Sequence, residues 1–175
     1  ARVLDPRPDT ETLVQWALDL LPASTSAQVV DLGTGSGAVA LALKAQRPGW
    51  TVQALDASAD ALAVAQANAQ RLGLPVHFVQ GAWWHAVPAH ERFDLVLSNP
   101  PYIRDDDPHL PALRHEPLSA LTAGPDGLAD LRSIINGAAP NLAAGAWLLL
   151  EHGWDQAGAV AALLHNAGFA EVSTR

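Results

Sequence analysis

Short apolar runs alternate along this chain with longer stretches in which apolar residues return every third or fourth position. The runs fall near 28–32, 51–56, 76–80, 93–98, 146–152 and 170–174, and each reads as a strand. Helical patterns lie between them. Leu13, Val14, Ala17, Leu20 and Leu21 share a face before Pro22, with Asp9 placed as the N-cap and Glu11 in the first turn. Residues 38–45 form a second helix, and Ser58 caps a third, which carries Leu62, Ala65, Ala69 and Leu72 and closes at Gly73. Leu128, Leu131, Ile134 and Ile135 mark another before Pro140, and a last helix runs from about Asp155 to Gly168. This alternation implies an α/β fold, a mostly parallel twisted sheet with helices on both faces. With 175 residues, 49% of them hydrophobic, one domain can build a sizeable core.

The first strand runs into Gly33-Thr34-Gly35-Ser36-Gly37 and then a helix. Glycines let backbone approach a ligand closely, and the helix N-terminus behind them offers free N–H groups. The second strand ends in Asp56, 19 residues after Gly37, where a carboxylate can accept from a ribose hydroxyl pair. A nucleoside-containing cofactor fits this arrangement. The spacing is Gly-x-Gly-x-Gly rather than the Gly-x-Gly-x-x-Gly of dinucleotide sites, although Ala38 would be tolerated in the last place. Asp31 tilts the choice, since its charge repels a pyrophosphate yet suits the cationic amino group of S-adenosylmethionine. Strand-end and helix-start capping is the competing role for Asp31 and Asp56.

At the end of the fourth run stands Asn99-Pro100-Pro101-Tyr102. The Asn side chain offers a carbonyl acceptor and the prolines carry no N–H, so the segment presents acceptors to a planar NH2 group. Two N–H bonds, to the Asn99 side-chain oxygen and the Pro100 carbonyl, would steer the nitrogen lone pair out of its conjugated plane toward an electrophile. Tyr102 supplies a flat face for stacking. The other reading of these residues is a proline-containing turn after a strand.

These pieces together resemble the protein glutamine N5-methyltransferases of the HemK/PrmC group, within the class I S-adenosylmethionine-dependent methyltransferases. The likeness spans nearly the whole chain, through Pro6-Arg7-Pro8-Asp9-Thr10-Glu11, Asp31-Leu32-Gly33-Thr34-Gly35-Ser36-Gly37-Ala38, Asp56-Ala57-Ser58, Ser98-Asn99-Pro100-Pro101-Tyr102-Ile103, Glu116-Pro117 and Leu148-Leu149-Leu150-Glu151-His152-Gly153. Asn-Pro-Pro-Tyr is shared with adenine-N6 DNA methyltransferases; the first and last segments make the match specific. The resemblance implies a Rossmann-like catalytic domain over 1–175, with Asp31 and Gly33 to Gly37 at the methionine end of S-adenosylmethionine. It also implies Asp56 at the ribose, Trp83 beside the adenine, and Asn99, Pro100, Pro101 and Tyr102 around the substrate glutamine amide. Asn99 borders cofactor and substrate alike. Ala82 departs from the family's usual Asp before the Trp.

The substrate this resemblance implies is the Gly-Gly-Gln glutamine of class 1 peptide chain release factors. A ribosomal-protein glutamine methyltransferase, an adenine-N6 nucleic-acid methyltransferase and a non-catalytic cofactor-binding adaptor are the competing functions. The resemblance also implies an N-terminal helical substrate-binding domain outside this sequence and a closing C-terminal hairpin cut short in it. Arg7, stiffened between two prolines, is a candidate at the substrate mouth as well as a plain loop residue.

Composition narrows the partners. Net charge is −8, with 10 basic residues scattered along the chain, and Asp105-Asp106-Asp107 follows the proposed substrate loop; DNA is a poor partner for such a surface. The seven histidines show no metal-ligand spacing, and with no cysteine there is neither a disulfide frame nor a thiol nucleophile. Glu151 and His152 read as a structural pair at a strand end. No run is long enough for a membrane span and no signal-peptide pattern opens the chain, so the expectation is a cytoplasmic monomer away from membranes.

Overall fold

The structure is a computed structural model that describes residues 8–113 and 115–175. Arg7 and the Asp9 side chain lie outside the described residues. Ten main elements follow in order: α1 (Pro8–Leu20), β1 (Gln28–Leu32), α2 (Ala38–Gln46), β2 (Thr51–Asp56), α3 (Ala59–Leu72), β3 (His77–Gln80), β4 (Phe93–Ser98), α4 (Ala129–Ala138), β5 (Leu142–Leu150) and α5 (Ala157–Asn166). The five strands form one sheet in the order β3-β2-β1-β4-β5, every pairing parallel.

Alternate side chains build a core on each face, as the two-residue period of a strand requires. Val29, Val52, Ala54, Leu95 and Leu97 pack with Leu13 and Ala17 of α1 and with Ala40 and Leu43 of α2. Their neighbours Val30, Leu32, Leu55 and Val96 face Ile134 of α4. The sheet is thus covered on both sides. Because the chain leaves β1 toward β2 on one side and β4 pairs on the other, the strand order reverses at β1, where open α/β sheets form a crevice beyond the strand carboxyl ends.

Local signals hold at α3: the Ser58 hydroxyl accepts from the Ala61 amide, and Gly73 closes the helix at φ 66. Three expectations need correction. Helix α1 already includes Pro8 and Asp9, so Asp9 lies in the first turn and not before it. Strand β5 begins at Leu142 rather than 146, because Phe93 pairs with Leu142 across a register shift, with Gly145 at φ 75; it ends at Leu150, which leaves Glu151 and His152 in the following loop. Residues 170–174 form no strand: they have no partner strand here, and Glu171 sits at φ 54, outside the extended region.

Candidate active site

The segments that follow β1, β2, β3 and β4 converge on one cavity of about 320 Å³ at the carboxyl edge of the sheet. After Leu32 the chain turns sharply, with the Gly33 and Thr34 amides both donating to the Leu55 carbonyl at 2.9 and 2.8 Å. Gly33 needs its lack of a side chain twice over. Its φ is +73, and a Cβ there would lie 3.1 Å from the Trp83 ring. From α3, the Asn68 amide group holds the Ser36 carbonyl at 3.0 Å.

Asp31 is 1% exposed. Its Oδ2 accepts from the Thr34 hydroxyl at 2.6 Å. Burial pushes this carboxyl up to about 6, against the lowering effect of Thr34 and of the Ala40 amide in the first turn of α2; nearby Asp56 adds a smaller upward push. Asp56 itself buttresses the loop: its Oδ2 accepts from the Gly35 amide and its Oδ1 from the Ser58 amide, both at 2.8 Å. A carboxylate has about four lone-pair sites, which leaves it acceptor capacity toward the cavity.

Past β3, Trp83 takes φ 47 in a short 3-10 helix, Trp83–Ala86. Its indole N–H donates to Asp130 at the start of α4, 3.2 Å away. Desolvation raises the half-buried Asp130 carboxyl, opposed by that bond. Trp84 is structural, donating to the Ile134 carbonyl at 2.7 Å, and Trp147 packs in the core.

Past β4, the Asn99 amide group donates through Nδ2 to the Thr10 hydroxyl oxygen at 3.2 Å. The Thr10 hydroxyl donates to Glu151 Oε2 at 2.9 Å, and the Tyr102 hydroxyl donates to Glu151 Oε1 at 3.2 Å. Gln156 completes the frame, donating to the Tyr102 carbonyl at 2.9 Å while accepting from the Gly153 amide at 2.8 Å. Glu151 therefore joins the two ends of Asn99-Pro100-Pro101-Tyr102, where sequence alone suggested a local structural pair with His152. The His152 ring bonds instead to the Gly153 carbonyl.

Of the residues singled out from sequence, Asp31, Gly33, Thr34, Gly35, Ser36, Asp56, Trp83, Asn99 and Pro101 line the cavity. Three do not. Gly37 packs below, where a Cβ would lie 3.1 Å from that of Ala65; Pro100 is buried; and Tyr102 lines a neighbouring cavity between β5 and α5. Thr10, Asn68, Asp130 and Gln156 were not singled out. Only the Thr10 position within the Pro-Arg-Pro-Asp-Thr-Glu segment offered a signal for any of them.

The described wall carries three carboxylates, Asp31, Asp56 and Asp130, and no Lys, Arg or His. Such a wall suits a ligand with an ammonium and a sulfonium and disfavours a pyrophosphate. S-adenosylmethionine fits these residues: a buried carboxylate with no cation beside it among the described residues for its ammonium, a strand-end carboxylate for its ribose, and a glycine turn on which its chain can lie.

Residues 9–115 match the family described as methyltransferase small domain. Release factor glutamine methyltransferases of Bordetella pertussis and Coxiella burnetii are 52% and 47% identical to this chain, each over 99% of it. The Escherichia coli K12 protein of that name is 46% identical over 98%. The chain spans 65%, 62% and 62% of the lengths of these three relatives. Among solved structures, a ribosomal protein L11 methylase from Lactobacillus delbrueckii superposes with a TM-score of 0.72 at 19% identity, covering 99% of this chain and 76% of its own. A T. thermophilus 16S rRNA N2 G1207 methyltransferase, in complex with AdoMet and guanosine, gives 0.70 at 20%, covering 93% of this chain and 38% of its own. Both share the fold.

Proposed function

Because the chain belongs to the methyltransferase small-domain family, we propose that it is the catalytic domain of an S-adenosylmethionine-dependent enzyme that methylates the side-chain amide nitrogen of a protein glutamine. The observation that carries this reading is the Asn99 amide: it borders the acidic, glycine-walled cavity, with its NH2 turned to Thr10 and its carbonyl left to accept. The names of the relatives support a release-factor glutamine as the substrate, and the motif resemblance makes it the Gly-Gly-Gln glutamine of a class 1 factor.

In this reading Asp31 takes the ammonium of S-adenosylmethionine, Asp56 its ribose hydroxyls and Trp83 the adenine face. When bound, the cofactor supplies an electrophilic methyl group for direct displacement. The rest of the work falls to the chain. An amide is a poor nucleophile, so positioning is the main contribution, worth roughly 7–11 kcal/mol when a near-attack geometry is held. Asn99 Oδ1 and the Pro100 carbonyl accept the two N–H groups of the substrate amide, which fixes its plane. The same two acceptors favour the positive charge that grows on the nitrogen. The proton departs afterwards to solvent, so no dedicated base is required. Pro101 shapes the wall beside the amide, and Tyr102, outside that wall, anchors the loop through Glu151. A helical domain outside this sequence belongs to the same reading, as a second hold on the release factor. The enzyme works as a cytoplasmic monomer without DNA.

Incubating the protein with labelled S-adenosylmethionine and a class 1 release factor, then mapping methyl by mass spectrometry, tests this. Label on the Gly-Gly-Gln glutamine that disappears in Asn99→Ala, with S-adenosylhomocysteine binding retained, is the expected result. Label on another protein glutamine or on adenine replaces the substrate; loss of cofactor binding and turnover together overturns the division of labour.

A further inference from the structure

We propose that Thr10 and Glu151 are positioning residues that dictate which end of the Asn99 amide faces the substrate; the inference rests on the reading of Asn99 as the acceptor of the substrate NH2. The two ends of an Asn side chain have nearly the same shape, so packing alone does not choose between them. Chemistry must choose, because only the carbonyl end can accept from an NH2 group.

The choice is made by a one-way chain of protons. A carboxylate has no proton to give, so Glu151 can only accept, and it accepts from hydroxyls on both oxygens: Thr10 at 2.9 Å and Tyr102 at 3.2 Å. A threonine hydroxyl has a single proton. Spent on Glu151, that proton leaves the Thr10 oxygen with lone pairs only. The Asn99 atom 3.2 Å away must therefore be a donor, the NH2 group, and Oδ1 is turned to the cavity. With the amide reversed, two oxygens would face each other with no proton between them, and an NH2 would meet the NH2 of the substrate. Thr10 is 8% exposed, so water is poorly placed to relieve that mismatch.

The chain also ties three distant parts of the fold to one atom. Thr10 comes from α1, Asn99 from the end of β4, and Glu151, 141 positions after Thr10, from the loop past β5. Threonine suits the central place because branching at Cβ restricts its χ1 and so the aim of its hydroxyl. Glu151 holds Asn99 through Thr10 and Tyr102 directly, so one carboxylate sets both the polarity of the acceptor and the span of the loop.

Two substitutions address the polarity separately from the shape. Thr10→Val keeps the outline and removes the hydroxyl. Glu151→Gln keeps the length but brings an NH2 that can donate to Thr10, which frees the threonine proton for Asn99 Oδ1 and favours the reversed amide. Both are expected to lower kcat on the release factor by roughly 10- to 100-fold, with the S-adenosylhomocysteine Kd from calorimetry within about 3-fold of wild type. Thr10→Ser should restore most of the rate. The direct readout is NMR on the full protein: the Asn99 side-chain NH2 protons, assigned by their loss in Asn99→Ala, should show an NOE to the Thr10 methyl that vanishes in Glu151→Gln. Wild-type kcat in Thr10→Val and Glu151→Gln while Asn99→Ala is inactive overturns the relay and spares the role of Asn99. An NOE unchanged in Glu151→Gln overturns it as well. Full turnover by Asn99→Ala removes the reading on which it stands.

Discussion

The Trp83 indole N–H donates to Asp130 across 47 positions of sequence, joining the short helix after β3 to the first turn of α4 at the wall of the cavity. This single bond steadies a residue in an unusual state, since Trp83 holds φ 47, a region that costs a non-glycine residue of order 1 kcal/mol or more. Ala82 beside it offers the cavity no polar side chain, so the wall near Trp83 is built of this aromatic plane and its tether to Asp130. Asp130→Ala should weaken S-adenosylhomocysteine binding by about 3- to 10-fold, as loss of one hydrogen bond implies. Calorimetry on Asp130→Ala and Trp83→Phe, which remove the two ends of the same bond, should show similar losses; an unaffected Kd in both would dissociate the tether from binding.

Asp31 gives the apo protein and its complex opposite pH responses. Burial pushes its carboxyl up from the ordinary 3.8 to about 6, so the folded state holds the proton more firmly than the unfolded chain. Apo stability should therefore fall as pH rises from about 4 to about 6, by about 3 kcal/mol for a shift of this size, and then level off. Binding of a cationic ammonium needs the ionised form and should strengthen through the same interval. In Asp31→Asn, denaturant melts at pH 8 should show a more stable apo protein, flat across that window, that has lost most of its cofactor affinity. A destabilised Asp31→Asn protein would show that the carboxylate stabilises the fold.

Gly127 limits the loop from the other side. At φ 69, its missing side chain would lie 2.3 Å from the Tyr102 carbonyl and 2.8 Å from Gln156 Nε2. Gly127→Ala should cost more than about 2 kcal/mol, combining left-handed backbone strain with displacement of the Tyr102 carbonyl. The methyl transfer proposed for this site should drop with it, even in conditions where the variant remains folded by circular dichroism. Gln156→Leu, which loses the bond to that carbonyl without the clash, should give a smaller drop in the same assay.

Much of this was visible in the chain itself. The apolar runs at 28–32, 51–56 and 93–98 coincide with β1, β2 and β4, because these strands are covered by helices on both faces and so carry apolar side chains on both. The glycine turn, Asp56 and Asn99 were also legible, since each is a short motif anchored to a strand end. The link from Thr10 to Glu151 was not. Partners 141 residues apart leave no periodic trace, and only the fold shows that α1 passes beside the loop after β5. Residues 170–174 erred for a related reason: local pattern suggested a strand, but a strand exists only where a neighbour supplies its ladder. The early start of β5 was hidden in Leu142-Ala143-Ala144-Gly145, a stretch of weak strand formers recruited by pairing with β4.

The wall around Asp31, Asp56 and Asp130, which carries no Lys, Arg or His among the described residues, bears on competition among metabolites. Adenosine is the shared handle of many abundant cellular compounds, and those that carry phosphate chains are polyanions. A pocket that recognised adenosine by contacts alone would spend much of its time filled with them. Three carboxylates on the wall would sort these rivals by charge before any close contact forms, so under the proposed function the acidic wall would also keep the pocket open for its cofactor.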